Sequence, residues 1–235
     1  MKFPIRINKY LAEMGVASRR EADVRIAAGH VLVNGKPAVI GQMVSETDQI
    51  KVTGTTKDKS YYAYYKGRGV VTHGGDDEER DVLTRIQKEH GLAHVAPIGR
   101  LPKGAEGLLI LSDDGRVTAP LLDPEAGHEK EYDVTVDKNI SPMFQRVMAS
   151  GVDIEGYRTK PARLIPHEAN EKRFRIILTE GKKHQLDRMC AALGYQVETL
   201  KRVRVLNIEL GKLKPNQYRK ITGEELKVFL KTLGI

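Results

Sequence analysis

The stretch IGRLPKGAEGLLILSDDG, residues 98–115, decides how the chain folds. Leu108, Leu109, Ile110 and Leu111 form an apolar run, with Gly107 before it and Asp113, Asp114 and Gly115 close behind it. So short a run between turn residues predicts a buried strand rather than a helix. Ahead of it, residues 100–106 carry the chain breakers Pro102 and Gly104 beside the charged Arg100 and Glu106, which predicts a loop. A loop held on a buried strand is a firm mount for chemistry.

The totals bound the reading. The 235 residues allow one large or two modest domains with ample core. A net charge of +8 favours a polyanionic partner, nucleic acid before an acidic membrane surface. That charge is concentrated, since residues 172–220 hold 13 Lys and Arg against 4 Asp and Glu. Cys190 is the lone cysteine, so no internal disulfide is possible and a reducing compartment suits the chain. No apolar run nears the ~20 residues of a membrane span, and the opening MKFPIRINKY has no apolar signal core. The expectation is a cytoplasmic monomer without membrane contact. The histidines show no spacing with cysteine or carboxylate that suggests a metal, and no cofactor is expected.

Upstream of the deciding stretch, Ile7, Tyr10, Leu11 and Met14 recur at helical spacing, and Gly15 reads as a stop. Ser18-Arg19-Arg20-Glu21 reads as a capping box that opens a second helix, with Ala22, Ile26 and Ala27 inward and Gly29 at its end. Val31, Leu32 and Val33 lead to Asn34-Gly35, a strong hairpin signal, with Val39 and Ile40 continuing the return strand and residues 50–52 forming another. Arg6, Lys9, Arg19, Arg20, Arg25 and Lys36 flank the apolar stripe as a basic rim. Residues 55–60 are polar and aperiodic, which divides the chain into a domain over 1–54, a linker over 55–60 and a domain over 61–235.

The second domain opens on a strand over 61–65 and the turn Lys66-Gly67-Arg68-Gly69-Val70-Val71-Thr72, followed by a flexible acidic segment, 74–80, and a helix from Asp81. His128-Glu129-Lys130-Glu131-Tyr132-Asp133-Val134 alternates like a half-buried strand. Ser141 and Pro142 open a helix, and strands are expected over 151–154, 159–164 and 174–178. In EGKKHQLDRMCAALGY, residues 180–195, Leu186, Met189, Cys190 and Leu193 fall at helical spacing, with Gly194 after them. Cys190 lies with the apolar set and should pack. Lys182, Lys183 and His184 precede that helix, where their charge and the helix dipole favour an anion such as phosphate. A strand over 199–210 carrying Arg202 and a helix over 226–233, capped from Thr222, complete the domain.

Two resemblances follow. The helices and hairpin of residues 6–54, with their basic rim, resemble the S4 RNA-binding domain. Such a surface would contact phosphates of folded RNA, giving affinity more than sequence choice. Gly99, Arg100, Leu101, Glu106, Gly107, Leu108, Leu109, Asp114 and Gly115 match the fingerprint of the RsuA/RluB/RluE/RluF branch of ribosomal RNA pseudouridine synthases. The turn from Lys66, the K-E-Y motif at Tyr132, the Gly181, Gln185, Arg188 and Met189 pattern and the L-x-R strand with Arg202 resemble the same branch. The resemblance implies an α+β fold: a small S4-like domain, then a synthase domain with a mostly antiparallel sheet and flanking helices. It implies ribosomal RNA or another structured RNA as partner, with Lys182, Lys183, His184, Gln185, Arg188 and Arg202 among the RNA-binding residues.

The resemblance also names what is missing. The family's catalytic aspartate stands at the position of Pro102, and the basic residue that pairs with it stands at Asp187. Arg100 and Tyr132 keep the family's identities, the tyrosine lying against the target uracil. The reading is therefore a structured-RNA binder whose isomerase activity is lost or severely impaired. The alternatives are an active synthase using Asp187 as carboxylate, with Arg100 or Arg188 as its cation, Glu106 being a weaker candidate, or a basic regulatory module that binds a protein or an anionic surface.

Overall fold

The computed structural model describes residues 1–53, 58–72, 81–92 and 95–235. The expected linker over 55–60 falls partly outside them, and the acidic segment over 74–80 wholly so.

The N-terminal part runs β1 (Ile5–Arg6), α1 (Ile7–Glu13), α2 (Arg19–Ala27), β2 (Val31–Val33), β3 (Lys36–Pro37), β4 (Met43–Val44) and β5 (Ile50–Val52). Ile7, Leu11, Ala22, Ile26, Val31 and Val44 form its core. The capping box is complete: the Glu21 amide donates to Ser18 Oγ at 3.2 Å, and the Ser18 amide donates to Glu21 Oε2 at 3.1 Å. Asn34 and Gly35 both take positive φ, as a tight two-residue hairpin between β2 and β3 requires. Three expectations need correction. Met14 and Ala27 are exposed, not inward. The return strand ends at Pro37, which has no amide to donate, and the chain turns away over Val39 and Gln42, leaving Val39 and Ile40 exposed.

The rest runs β6 (Tyr61–Lys66), α3 (Val82–His90), β7 (Ala96–Ile98), β8 (Glu106–Ser112), a 3-10 turn (Gly115–Val117), α4 (Thr118–Leu122), β9 (Lys130–Val136), α5 (Pro142–Ser150), β10 (Asp153–Ile154), β11 (Tyr157–Arg158), β12 (Arg163–Pro166), β13 (Arg173–Leu178), α6 (Gln185–Ala192), β14 (Val197–Val205), β15 (Ile208–Glu209), β16 (Tyr218–Lys220) and α7 (Gly223–Thr232). The main sheet has the order β12-β13-β9-β14-β8-β6-β16, with β15 on β14 and β7 on β8. Its pairs are antiparallel except β14 with β8, which is parallel.

Strand β6 shows why the centre is apolar on both faces. Tyr61, Ala63 and Tyr65 pack toward Phe229 of α7 and Leu233 at its C-terminal end, while Tyr62 and Tyr64 pack toward Val82 and Ile86 of α3. The partner strand β8 divides likewise, Leu108 and Ile110 on one side and Leu109 and Leu111 on the other. A strand covered on both faces reads as a continuous apolar run, which is why residues 108–111 do. Helices α5 and α6 close a further core around Phe144, Met148, Phe174, Met189 and Cys190.

Gly107 sets the parallel joint of the main sheet. Its φ is 107°, and a Cβ there would sit 2.3 Å from the carbonyl oxygen of Arg202, so only glycine lets β14 approach β8 this closely. The two parts of the chain meet at the turn after β8. Ser18 lies against Gly115, Lys59 pairs with Glu21, the Ser60 amide donates to Asp113 at 2.7 Å, and Arg116 reaches the Gly15 carbonyl at 3.5 Å.

Other expectations are corrected here. The strand expected over 151–154 is only β10. That expected over 159–164 begins at Arg163, because Thr159 Oγ1 instead accepts the Val152 amide at 2.8 Å and Pro161 has no donor. Helix α7 begins at Gly223, and the Thr222 side chain does not cap it. No helix among the described residues is long and apolar enough to cross a membrane.

Candidate functional site

Sheet pairing builds the floor of the site. In the β9–β14 register Arg202 stands opposite Tyr132, and Lys130 precedes Tyr132 by two. Opposed residues, and residues two apart, share a face. Lys130, Tyr132 and Arg202 accordingly line one cleft of about 760 Å³. Arg100, Leu101 and Pro102 line it on one side, and Lys182, Lys183, His184, Gln185 and Asp187 on the other.

The Pro102 loop is tied down by the turn after β6. Leu101 is buried, its amide donates to Thr72 Oγ1 at 3.1 Å, and that hydroxyl donates to the Leu101 carbonyl at 2.9 Å. The Gly69 amide donates to the Lys103 carbonyl at 2.8 Å, and the Ala105 amide to that of Pro102 at 3.1 Å. The sequence reading took residues 66–72 as a motif and missed Thr72 as the clamp. Glu106 does not line the cleft; it faces Lys201 at 3.6 Å.

The opposite wall hangs on Glu180, which sequence reasoning also missed. Its buried carboxylate accepts from the Tyr157 hydroxyl, from the Lys160 amide at 3.1 Å and from Gln185 Nε2 at 2.6 Å. Gln185 Oε1 accepts the Lys182 amide at 2.9 Å. Gln185, expected to contact RNA, is therefore buried with its amide committed to shaping the loop. Asp187 faces His184 at 3.5 Å, both side chains about half exposed. Arg188 is outside the lining and pairs with Glu155 at 2.8 Å. The pairing of Asp187 with Arg100 or Arg188 is not formed; side chains adjacent on a helix point apart. Cys190 is fully buried, and burial pushes its thiol up to about 12, which suits packing rather than reaction.

The floor is cationic. Arg202 is 7% exposed and donates through Nε to the Leu108 carbonyl at 2.8 Å. Lys130 donates to the His128 carbonyl at 3.3 Å, and burial, then the Arg202 charge, lowers its pKa. Behind them the fully buried Lys66 donates to the carbonyls of Val70 at 2.7 Å and Gly67 at 3.1 Å; burial, chiefly, pushes it down to about 8. Among the described residues none of the three forms an ion pair. Nor does any cluster of three or more His, Cys, Asp and Glu there suit a metal. In the N-terminal part Arg6, Arg19, Arg20 and Lys36 are exposed and Arg25 half-buried, while Lys9 pairs with Glu13 at 3.5 Å.

The sequence profile described as RNA pseudouridylate synthase matches residues 60–192, and that of the S4 domain matches residues 5–50. The dual-specificity RNA pseudouridine synthase RluF of Escherichia coli (strain K12) is 39% identical over 228 residues, 94% of this chain and 77% of that one. The chain belongs to the RNA pseudouridylate synthase family. The ribosomal large subunit pseudouridine synthase B of Bacillus subtilis (strain 168) is 34% identical over 231 residues, 94% of each chain. A solved pseudouridylate synthase shares the fold with a TM-score of 0.69 and 26% identity, over 96% of this chain and 99% of that one. This family member thus carries an S4 domain ahead of a synthase domain with a mostly antiparallel sheet, as the motifs implied.

Proposed function

We propose that this chain binds structured ribosomal RNA and that its isomerase activity is lost or severely impaired. The observation that carries the reading is Pro102, pinned on the cleft wall by the Thr72 clamp at the position where the family fingerprint has its aspartate. Turning uridine into pseudouridine exchanges a C–N glycosidic bond for a C–C bond and, by the resemblance, needs a carboxylate to attack the nucleoside. Proline offers no nucleophile. Asp187, at the position of the basic partner, stands beside His184 rather than an arginine. An arginine there would face a proline and find no counter-charge at position 102. The two replacements therefore fit one electrostatic change.

In this reading residues 1–54 supply a basic RNA-binding surface through Arg6, Lys9, Arg19, Arg20, Arg25 and Lys36, residues 55–60 link, and residues 61–235 present the cleft. Lys182, Lys183 and His184 meet phosphates at its rim, and Tyr132 and Arg100 flank an extruded base. Extrusion costs a few kcal/mol in a duplex and least in a loop, so the preferred target is a loop or bulge of folded RNA. The protein acts as a cytoplasmic monomer and needs no cofactor. The test is binding to ribosomal RNA across a salt series, with nucleoside analysis of the recovered RNA. Tight binding with a steep salt slope and unchanged pseudouridine content is expected. A rise in pseudouridine overturns the loss of activity, and salt-insensitive or absent binding overturns the RNA reading.

A further inference from the structure

We propose that the outer face of the β3–β2–β5 sheet, with the turn that follows β3, docks a protein partner through a short amphipathic helix that carries an aliphatic stripe with carboxylates beside it. Of the twelve large apolar residues exposed among the described ones, seven lie in the first 54 residues, so the unpartnered apolar surface belongs mainly to the S4 domain. Val31 and Val33 turn into the core they share with Ile7, Leu11, Ala22 and Ile26 of the helices. Alternation along β2 therefore aims Leu32 away from the helices, and its register partners Pro37 and Lys51 share that outer face. The Ala38 amide donates to the Val31 carbonyl at 2.9 Å and the Ala38 side chain is buried, which carries Val39 onto the same side as Pro37.

The strip is held in place. The Val39 amide donates to Gln42 Oε1 at 3.0 Å, the Gln42 amide to the Val39 carbonyl at 3.1 Å, and the Ile7 amide to the Gln42 carbonyl at 2.8 Å, which ties the turn to the start of α1. Val39 and Ile40 are nonetheless 65% and 63% exposed. A fixed aliphatic strip left in water marks an interaction site. Its chemistry selects the occupant. Leu32, Pro37, Val39 and Ile40 include no aromatic ring and no arginine, the groups on which bases stack, so RNA gains little there. Lys9, Arg19, Arg20 and Arg25 are on the helices, across the domain core from this face. Lys36 and Lys51 at its edges are exposed and form no ion pair among the described residues, while the Asp48 carboxylate is spent on Ser45 and Asn34. Carboxylates of a partner are the complement to those two lysines. Lys36 also belongs to the RNA rim in the reading above, so Lys51 is the cation this face keeps to itself. Four aliphatic side chains fall short of the roughly 800 Å² that each globular partner buries in a stable complex, which suits a short helix with a few anchors rather than a second copy of this chain.

Fluorescence anisotropy on the full chain tests this with a labelled synthetic helix that has leucines at i, i+3, i+4 and i+7 and glutamates beside them. Two counterparts carry lysine for glutamate or serine for leucine. The glutamate helix should bind at least about tenfold more tightly than either counterpart. Ile40→Ser should weaken it about tenfold and Lys51→Glu about fivefold, with Tm, ribosomal RNA affinity and the salt slope of that affinity unchanged, since both positions are exposed. Equal binding of the three helices, or wild-type affinity in both variants, overturns the docking site and leaves the RNA reading standing. Weaker ribosomal RNA binding by Ile40→Ser assigns the face to RNA and overturns the proposal. Concentration-dependent self-association that Ile40→Ser abolishes, read by sedimentation, assigns it to a second copy and overturns the proposal as well. Failure of the wild-type chain to bind ribosomal RNA, with the glutamate-helix preference intact, refutes the RNA reading and leaves the docking site.

Discussion

Gly115→Ala should separate the S4 domain from the synthase domain. A Cβ at position 115 would stand 2.0 Å from Ser18 Cβ, 2.8 Å from its Oγ and 3.3 Å from its Cα. Carbon atoms pack at about 3.5–4.0 Å, so the start of α2 must retreat by roughly 1.5 Å or more. It cannot do so freely, because Lys59 pairs with Glu21 beside the contact and Arg116 reaches Gly15. The φ of Gly115 is not in the left-handed region, so alanine meets no backbone strain there. On its own it would stabilise by about 0.4–1 kcal/mol through the unfolded chain, whereas overpacking costs about 1–3 kcal/mol. The net expectation is a loss of about 1–2 kcal/mol, with Tm lower by roughly 2–8 °C. Thermal unfolding and small-angle scattering read both the stability and the docking. Ser18→Gly removes the clashing atoms and weakens the cap by only a few tenths of a kcal/mol, so the double variant should recover. A single variant as stable and compact as the parent, or a double variant without recovery, refutes the reasoning.

Gly107→Ala places a Cβ 2.3 Å from the Arg202 carbonyl oxygen at a φ of 107°, and should cost more than about 3 kcal/mol; urea unfolding measures it. Burial alone would raise the Asp114 carboxyl, but the Arg116 guanidinium and the Tyr61 hydroxyl outweigh it and hold it below its usual range. That stability is present above the unfolded value of about 3.9 and is lost as pH falls through the lower folded value, so Asp114→Asn should be less stable at neutral pH and show a shallower acid loss in urea titrations. Lys66 has the opposite sign. Its folded value of about 8 lies below the unfolded one, so between the two the unfolded state holds the extra proton and stability should rise with pH. Lys66→Met should abolish that rise in the same titrations.

The local devices were legible in the sequence because each is closed within a few residues. The Ser18–Glu21 box, the Asn34-Gly35 hairpin, the buried strand at residues 108–111 and the Cys190 stripe all belong to this class. The β-branched Val39 and Ile40 misled, since Pro37 and the turn closed by Gln42 outweigh their strand preference. The site was half legible. Arg100, Pro102, Tyr132 and the Lys182–Asp187 segment could be named from motifs, and they line one cleft. Thr72, Glu180 and Lys130 stood inside the quoted stretches without a role, because their roles come from side chains meeting across the fold. Gln185 looked like a contact residue only because motif position says nothing of what Glu180 does to it.

Tritium release from ribosomal RNA labelled at uridine C5, taken from cells lacking the protein, tests the central claim most directly. The wild-type chain should release nothing above background while binding that RNA, and Pro102→Asp with Asp187→Arg should gain release. Release by the wild-type chain at enzyme-like rates would contradict the account.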